Sequence, residues 1–279
     1  MQFNLKGERG IVLSFLDIEG KTFLVFGVAN KKSIAFSVGQ VLSQQKAEVI
    51  YSVRSSEMKE TVSKILPGSD IYVCDVEREE EIKKLAEDIS QKYPKIHGIL
   101  HAIAFANYED GVKPFFETKK KNFLQAVDIS CFSLISIADA FKDLLDKKGS
   151  VVTISISTTK LATENYGYMA PIKAALDSTV GFLAKSFSAF SQVRFNSVNA
   201  GPLKTSSSAG VPGYVDALLF AEKLMLHKRA LTTKEVANTA VFLLSDCSSG
   251  INAQGIVVDC GMSVNYFDRD VIKKAIRID

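Results

Sequence analysis

The sequence predicts an α/β fold: a doubly wound, Rossmann-type single domain on a parallel seven-stranded sheet. Three observations predict it. Seven short apolar runs alternate with longer stretches of helical spacing. The runs are apolar at consecutive positions, the pattern of strands covered by helices on both faces. No Pro/Gly-rich linker, internal repeat or low-complexity tract divides the 279 residues.

In chain order, the strands are expected at residues 22–26, 48–53, 70–73, 98–104, 150–156, 194–198 and 255–258. Helices are expected at 34–45, 77–92, 119–145, 169–190 and 234–244; the second is acidic early and basic late, as the helix dipole prefers. Residues 1–17 read as an N-terminal arm ahead of a reductase domain over 18–279. Residues 206–229 interrupt the alternation, beginning with small residues and continuing with helical spacing. They read either as a substrate-binding lid at the sheet's ligand edge or as a surface excursion without function.

Bulk properties exclude several classes. A net charge of +3 and a sequence pI near 8.5 lack the strong basic bias of a nucleic-acid binder, and Lys119, Lys120 and Lys121 read as a solvated helix start. Cys74, Cys131, Cys247 and Cys260 form no C-x-x-C pair, and His97, His101 and His227 have no ligand spacing. Free thiols and no metal site are expected, with His101 a satisfied strand-end histidine. No signal peptide is evident. No apolar stretch is expected to reach the roughly 18 residues of a membrane span. A cytoplasmic protein with no membrane partner follows.

The first crossover carries the first chemical signal. After the first strand comes Gly27-Val28-Ala29, leading to Ser33-Ile34-Ala35. A turn opened by glycine and closed by a helix start can receive a diphosphate, because the first turn has free N–H groups and the positive dipole end. Ser33 can cap that helix. The G-x-G-x-x-G fingerprint is missing, so a plain strand–turn–helix corner explains the local pattern equally well. Arg54 follows the second strand, where an acidic residue would favour NAD. An arginine suits a 2′-phosphate and so NADPH; a surface arginine is the alternative. Asp75 and Val76 follow the third strand, where they can meet adenine, or Asp75 can cap the next helix.

Tyr166 and Lys173 carry the second signal. They are seven apart, about two turns, and share a helix face. An ammonium beside a phenol favours the phenolate and makes a better acid of a group whose free pKa is about 10. Such a tyrosine can present its O–H to a carbonyl oxygen where charge develops. Pro171 is tolerated only in the first turn of that helix.

From these residues the chain resembles a short-chain dehydrogenase/reductase, and within that superfamily it is similar to the bacterial enoyl-acyl-carrier-protein reductases of fatty-acid synthesis. Four stretches between about Ile18 and Ser263 carry the resemblance: the Gly27 to Ala35 turn; His101-Ala102-Ile103-Ala104-Phe105-Ala106; Tyr166 with Met169 and Lys173; and Asn199-Ala200-Gly201-Pro202-Leu203-Lys204-Thr205. The resemblance implies reduction of a trans-2-enoyl thioester by hydride from NADPH or NADH. It implies that Tyr166 holds the thioester carbonyl and Lys173 the cofactor ribose. It places Gly27, Ser33 and Ile34 at the diphosphate, Arg54 where the cofactor is chosen, and Asp75 and Val76 at adenine. Ile103 lies by the nicotinamide, Leu203 and Thr205 by its carboxamide and the phosphates, and Ala106 and Ile156 by the acyl chain. Acyl carrier protein or coenzyme A would carry the substrate, and a homotetramer is implied. Ile156 stands where many relatives have a second tyrosine, Ile172 where alanine is usual, and Pro171 is unexpected, so the acyl pocket is expected to differ in shape. Two alternatives remain. One is carbonyl reduction, with Thr153 assisting as serine does in carbonyl reductases. The other is a non-catalytic dinucleotide binder.

Overall fold

The computed structural model describes residues 15–109, 111, 113–163, 167–205, 208, 211 and 213–275. The expected arm before residue 15, together with Glu164, Asn165, Tyr166, Ser206, Ser207, Ala209, Gly210 and Pro212, lies outside the described residues.

Strands β1 (Thr22–Phe26), β2 (Glu48–Val53), β3 (Asp70–Val73), β4 (Ile96–His101), β5 (Leu145–Ile156), β6 (Arg194–Ala200) and β7 (Gly255–Val258) form one sheet. Its order is β3-β2-β1-β4-β5-β6-β7 and every pairing is parallel. The chain reverses its direction of travel between β1 and β4, so a crevice opens beyond their carboxyl ends. That switch point is where ligands bind in this class of sheet.

Helices α1 (Ile34–Gln44), α2 (Ser56–Ser63), α3 (Glu79–Ser90), α4 (Lys120–Val127), α5 (Ser133–Phe141), α6 (Met169–Phe187), α7 (Tyr214–Leu224), α8 (Thr233–Leu244) and α9 (Arg269–Ala275) complete the fold. Both sheet faces are covered, which explains the continuous apolar runs. In β1, Phe23 and Val25 face a core built with Val38 and Leu42 of α1 and Val236 and Val241 of α8. Leu24 and Phe26 face the opposite core, with Ile82 and Leu85 of α3, Ile137 and Phe141 of α5, and Leu176 of α6.

Several boundaries depart from expectation. β4 ends at His101, three residues early, because the chain leaves the sheet to line the crevice. β5 starts at Leu145, and a register shift opposite Ile96 and Gly98 accommodates the added residues. α2 was not foreseen; Ser55 caps it by accepting from Met58 N–H at 3.3 Å. The helix expected over 119–145 is divided by a π-helical turn, Asp128–Phe132, and ends at Phe141. Such turns mark places where side chains are redirected for function, and Ser130 and Ser133 are redirected here, as shown below. By length and composition, Lys120–Phe141 does reach what a membrane span needs, correcting the expectation that no stretch does. Its Leu134, Ile137, Ala138 and Phe141 are buried against the sheet, as in the core helix of a globular protein.

Arg194 opens β6 and is 5% exposed. Its Nη1 donates to Leu243 O and Ser248 O, both at 3.0 Å, and to Ser248 Oγ at 2.6 Å; Nη2 donates to Ser245 O at 2.9 Å. One guanidinium therefore satisfies the last carbonyls of α8, where its positive charge also meets the negative dipole end. Arg194→Met is expected to remove these charge-assisted hydrogen bonds, leaving Leu243 O to the Ser150 hydroxyl and Ser248 O to Ile251 N–H, at a cost of about 3 kcal/mol, read as a fall of roughly 6–12 °C in Tm by circular dichroism.

Candidate active site

Beyond the carboxyl ends of β1, β4, β5 and β6 lies a cavity of about 350 Å³. Gly27, Ser33, Ile34, Ile103, Ala106, Ile156, Lys173, Leu203 and Thr205 all line it, so the structure gathers nine of the expected site residues around one space. Arg54, Asp75 and Val76 are not in its wall. They follow β2 and β3, further along the same sheet edge. Tyr166 lies outside the described residues.

The β1–α1 corner is built for close approach. Gly27 has φ +95°, and a Cβ there would lie 2.1 Å from Ala102 O. Only glycine lets the turn nest on the strand beside it. Ser33 is the α1 N-cap: its Oγ accepts from Phe36 N–H at 3.3 Å and donates to Asn30 O at 2.7 Å. The α1 N-terminus, with Ser33, Ile34 and Ala35 in the cavity wall, faces the space where an anion gains most from free N–H groups.

Asp75 is not the N-cap of α3; Arg78 holds that position. The Asp75 carboxylate instead accepts from Glu77 N–H at 3.2 Å, and Asp75 N–H donates to Glu81 Oε2 at 2.8 Å. The helix that was expected to begin at 77 begins at Glu79 because this turn intervenes. Arg54 is exposed.

Lys173 is in the second turn of α6 and is 4% exposed. Its Nζ donates to Ile154 O of β5 at 2.8 Å and to Ile103 O after β4 at 3.3 Å. An ammonium has three donors, so one remains for a ligand in the cavity. Burial pushes its pKa down to about 8, while the Asp177 carboxylate, one turn later on α6, favours the charged form. Asp177 is itself held by Asn199 Nδ2 at 3.2 Å and Ser197 Oγ at 3.4 Å. Ser155 Oγ lies beside the same carboxylate outside good hydrogen-bond geometry, and it is a fully buried hydroxyl in the cavity wall with its hydrogen bonds unmade. Pro171 is the third residue of α6, where its missing N–H has no intrahelical acceptor to lose.

His101 is fully buried at the end of β4, as the strand-end reading expects. Ser133 Oγ donates to Ile129 O at 2.7 Å, so it accepts from His101 Nε2–H at 2.9 Å. That assigns Nδ1 as the acceptor facing Thr153 Oγ1 at 2.9 Å. Burial, then the field of Lys173, pushes the His101 pKa down to about 3, which keeps the ring neutral. Thr153 is fully buried, outside the cavity wall, and committed to His101. The role it was given in carbonyl reduction therefore has no geometric support. Ser130, on the π turn, holds Phe105 from both sides, accepting from its N–H at 2.9 Å and donating to its carbonyl at 3.2 Å. The interrupted helix thus fixes the course of residues 101–105 along the cavity.

Among the lining residues that sequence reading did not single out are Ser155, Tyr108 and Tyr214. Ser155 follows from β5 periodicity only once the cavity's side is known. Tyr108 and Tyr214 lie on segments whose path the sequence does not fix. Tyr214 opens α7, and its hydroxyl accepts from Leu203 N–H at 2.9 Å and donates to Leu203 O at 3.0 Å. Tyr168 makes the same double contact with Asn107, both bonds at 3.0 Å.

The sequence profile described as enoyl-(acyl carrier protein) reductase matches residues 27–263. Enoyl-(acyl-carrier-protein) reductase (NADPH) FabI of Staphylococcus aureus is 38% identical over 251 residues, covering 88% of this chain and 98% of the relative. The NADH enzyme of Bacillus subtilis is 34% identical over 252 residues, covering 88% and 97%. Among solved structures, enoyl-(acyl-carrier-protein) reductase (NADH) from Aquifex aeolicus superposes with a TM-score of 0.86 at 29% identity, covering 90% of this chain and 99% of that one. The Bacillus cereus reductase with NADP+ and indole naphthyridinone superposes with a TM-score of 0.84 at 34% identity, covering 88% and 98%.

Proposed function

This chain belongs to the enoyl-(acyl carrier protein) reductase family, and from that membership we propose how its cavity reduces the trans-2 double bond of an enoyl thioester. It is an oxidoreductase of fatty-acid synthesis that uses NADPH or NADH and acts on acyl-carrier-protein thioesters. The residues present fit a nicotinamide dinucleotide: a capped helix N-terminus faces the cavity, the glycine at its entrance leaves no room for a side chain, and a buried ammonium has a donor to spare.

Gly27, Ser33 and Ile34 hold the diphosphate. Asp75 and Val76 flank the adenine, and Arg54 takes a 2′-phosphate, which favours NADPH. Lys173 binds the ribose of the nicotinamide half, and Ile103, Leu203 and Thr205 border the ring and phosphates. Bound NADPH supplies the hydride that the substrate's β-carbon accepts. Tyr166 donates its O–H to the thioester oxygen, where charge accumulates, and Lys173 strengthens that donor. A proton at the α-carbon completes the saturated thioester. Ala106 and Ile156, with Met169, Tyr108 and Val211, form an apolar wall that excludes water from the reacting carbons.

We assign residues 206–229, which carry α7, to a substrate-binding lid, and the rest of the chain from residue 18 to one reductase domain. Large apolar side chains exposed on two parts of the chain support a homotetramer, which needs two interfaces. Phe132, Ile135 and Phe182 are exposed on the segment from the π turn to α6, and Val257, Val264 and Tyr266 are exposed in and after β7. The four cysteines are free thiols, which a reducing cytoplasm preserves.

The observation that carries the reading is the buried Lys173 ammonium, held at the cavity wall by a carbonyl of β5 and one from the segment after β4. Purified protein is expected to oxidise NADPH, and NADH more weakly, when crotonyl thioester is added, and to release the saturated acyl product. Tyr166→Phe should lower kcat on the order of 100-fold, as loss of an oxyanion donor does. Turnover equal to that of Tyr166→Phe refutes the assignment, as does reduction of a 3-oxoacyl thioester to the hydroxyacyl product by a protein that leaves crotonyl thioester unreduced.

A further inference from the structure

Leu203 lies three residues beyond the end of β6, in the cavity wall. Both of its backbone polar groups meet one atom, the Tyr214 hydroxyl, which accepts from its N–H and donates to its carbonyl; the carbonyl also accepts from Thr205 N–H at 3.1 Å. Burial raises the pKa of that phenol, so it remains a donor at working pH. A primary carboxamide offers the same complement, an N–H donor and a carbonyl acceptor. A diphosphate at the α1 N-terminus beyond β1 would leave the far end of a dinucleotide to the exits of β4, β5 and β6, on the side of the cavity that Leu203 lines.

We propose that Tyr214 is a positioning residue of the nicotinamide subsite: its hydroxyl holds the Leu203 peptide groups in the free enzyme and yields them to the cofactor's carboxamide. The proposal rests on the dinucleotide reading above. Because Tyr214 is the first residue of α7, cofactor binding then releases the start of that helix from the strand exit. The rest of α7 stays anchored, since Asn265 Nδ2 donates to Leu224 O at 2.7 Å and Leu226 N–H donates to Cys260 O at 2.9 Å. Only one end of the helix is free to respond.

Tyr214→Phe keeps the ring and deletes the competing hydroxyl. NADPH should bind the variant on the order of fivefold more tightly, since it no longer displaces two hydrogen bonds. The fragment 2′-phospho-ADP-ribose, which has no nicotinamide ring, should bind both proteins equally, as measured by calorimetry. Without ligand, hydrogen exchange at the Leu203 amide should quicken in the variant; NADPH should restore protection and the fragment should not. NADPH affinity that is unchanged or weaker overturns the proposal, as does an equal gain for the fragment, which would mean general loosening of the site. A fragment that binds neither protein removes the dinucleotide reading itself.

Discussion

Lys173→Met is expected to leave a folded protein whose kcat/KM for crotonyl thioester is lower by roughly 1,000-fold, since the electrostatic support of the tyrosine donor and the ribose contact are lost together. Methionine fits because the stem is already packed and only the ammonium is replaced. The unsubstituted enzyme should show the same dependence through pH. The groups facing Lys173 are His101 from β4, Cys131 from the π turn and Asp177 from α6; the neutral imidazole cannot compensate its charge. With a pKa near 8 in the free enzyme, kcat/KM should fall as pH rises through 8, and Lys173→Met should lack that limb. Stability moves the other way. Between about 8 and the unfolded value near 10.5 the unfolded chain binds more protons at this residue, so its contribution to stability increases with pH. A protein that loses turnover above pH 8 while its Tm does not fall in step would separate this titration from unfolding. An alkaline limb unchanged in the methionine variant would show that another group governs it.

Gly27→Ala is the second large effect. The new Cβ would lie 2.1 Å from Ala102 O and 2.7 Å from its carbonyl carbon, both backbone atoms that cannot turn aside. The positive φ adds strain that an L side chain bears poorly. Together these are expected to cost about 3–5 kcal/mol, with a Tm lower by roughly 10 °C and no measurable NADPH binding in the fraction that folds. Gly68→Ala is the control. Its φ is +78° but nothing lies within 4 Å of a Cβ, so only the backbone penalty, roughly 1–2 kcal/mol, applies. If the two variants lose the same stability, the close approach at the β1–α1 corner is not what Gly27 serves.

Much of this arrangement is legible in the sequence, because burial on both faces writes a strand as consecutive apolar residues. All seven strands were located that way, and Gly27, Ser33 and Lys173 follow from the chemistry of turns, caps and ammonium groups. What was not legible depends on contacts distant in sequence. Arg194 reads as an ordinary strand residue until α8 returns to place its last carbonyls around the guanidinium. The π turn at Asp128–Phe132 has ordinary helical composition, and the redirected Ser130 and Ser133 find their partners on another segment. Thr153 invited a catalytic reading by its spacing from Tyr166, and only the imidazole of His101 shows that its hydroxyl is spent. Asp75 had two readings because an acidic side chain after a strand can cap a helix or close a tighter turn, and the closing Glu81 lies six residues on.

The Tyr168–Asn107 pair has a mechanical consequence. A phenol bonded to both the N–H and the carbonyl of one residue fixes the distance and the orientation of that residue's backbone. The segment leaving β4 is thereby tied at Asn107 to the residue that precedes α6. The cavity rim near Tyr108 therefore shares its footing with the helix that carries Lys173, so a substitution at either is expected to be felt by the other.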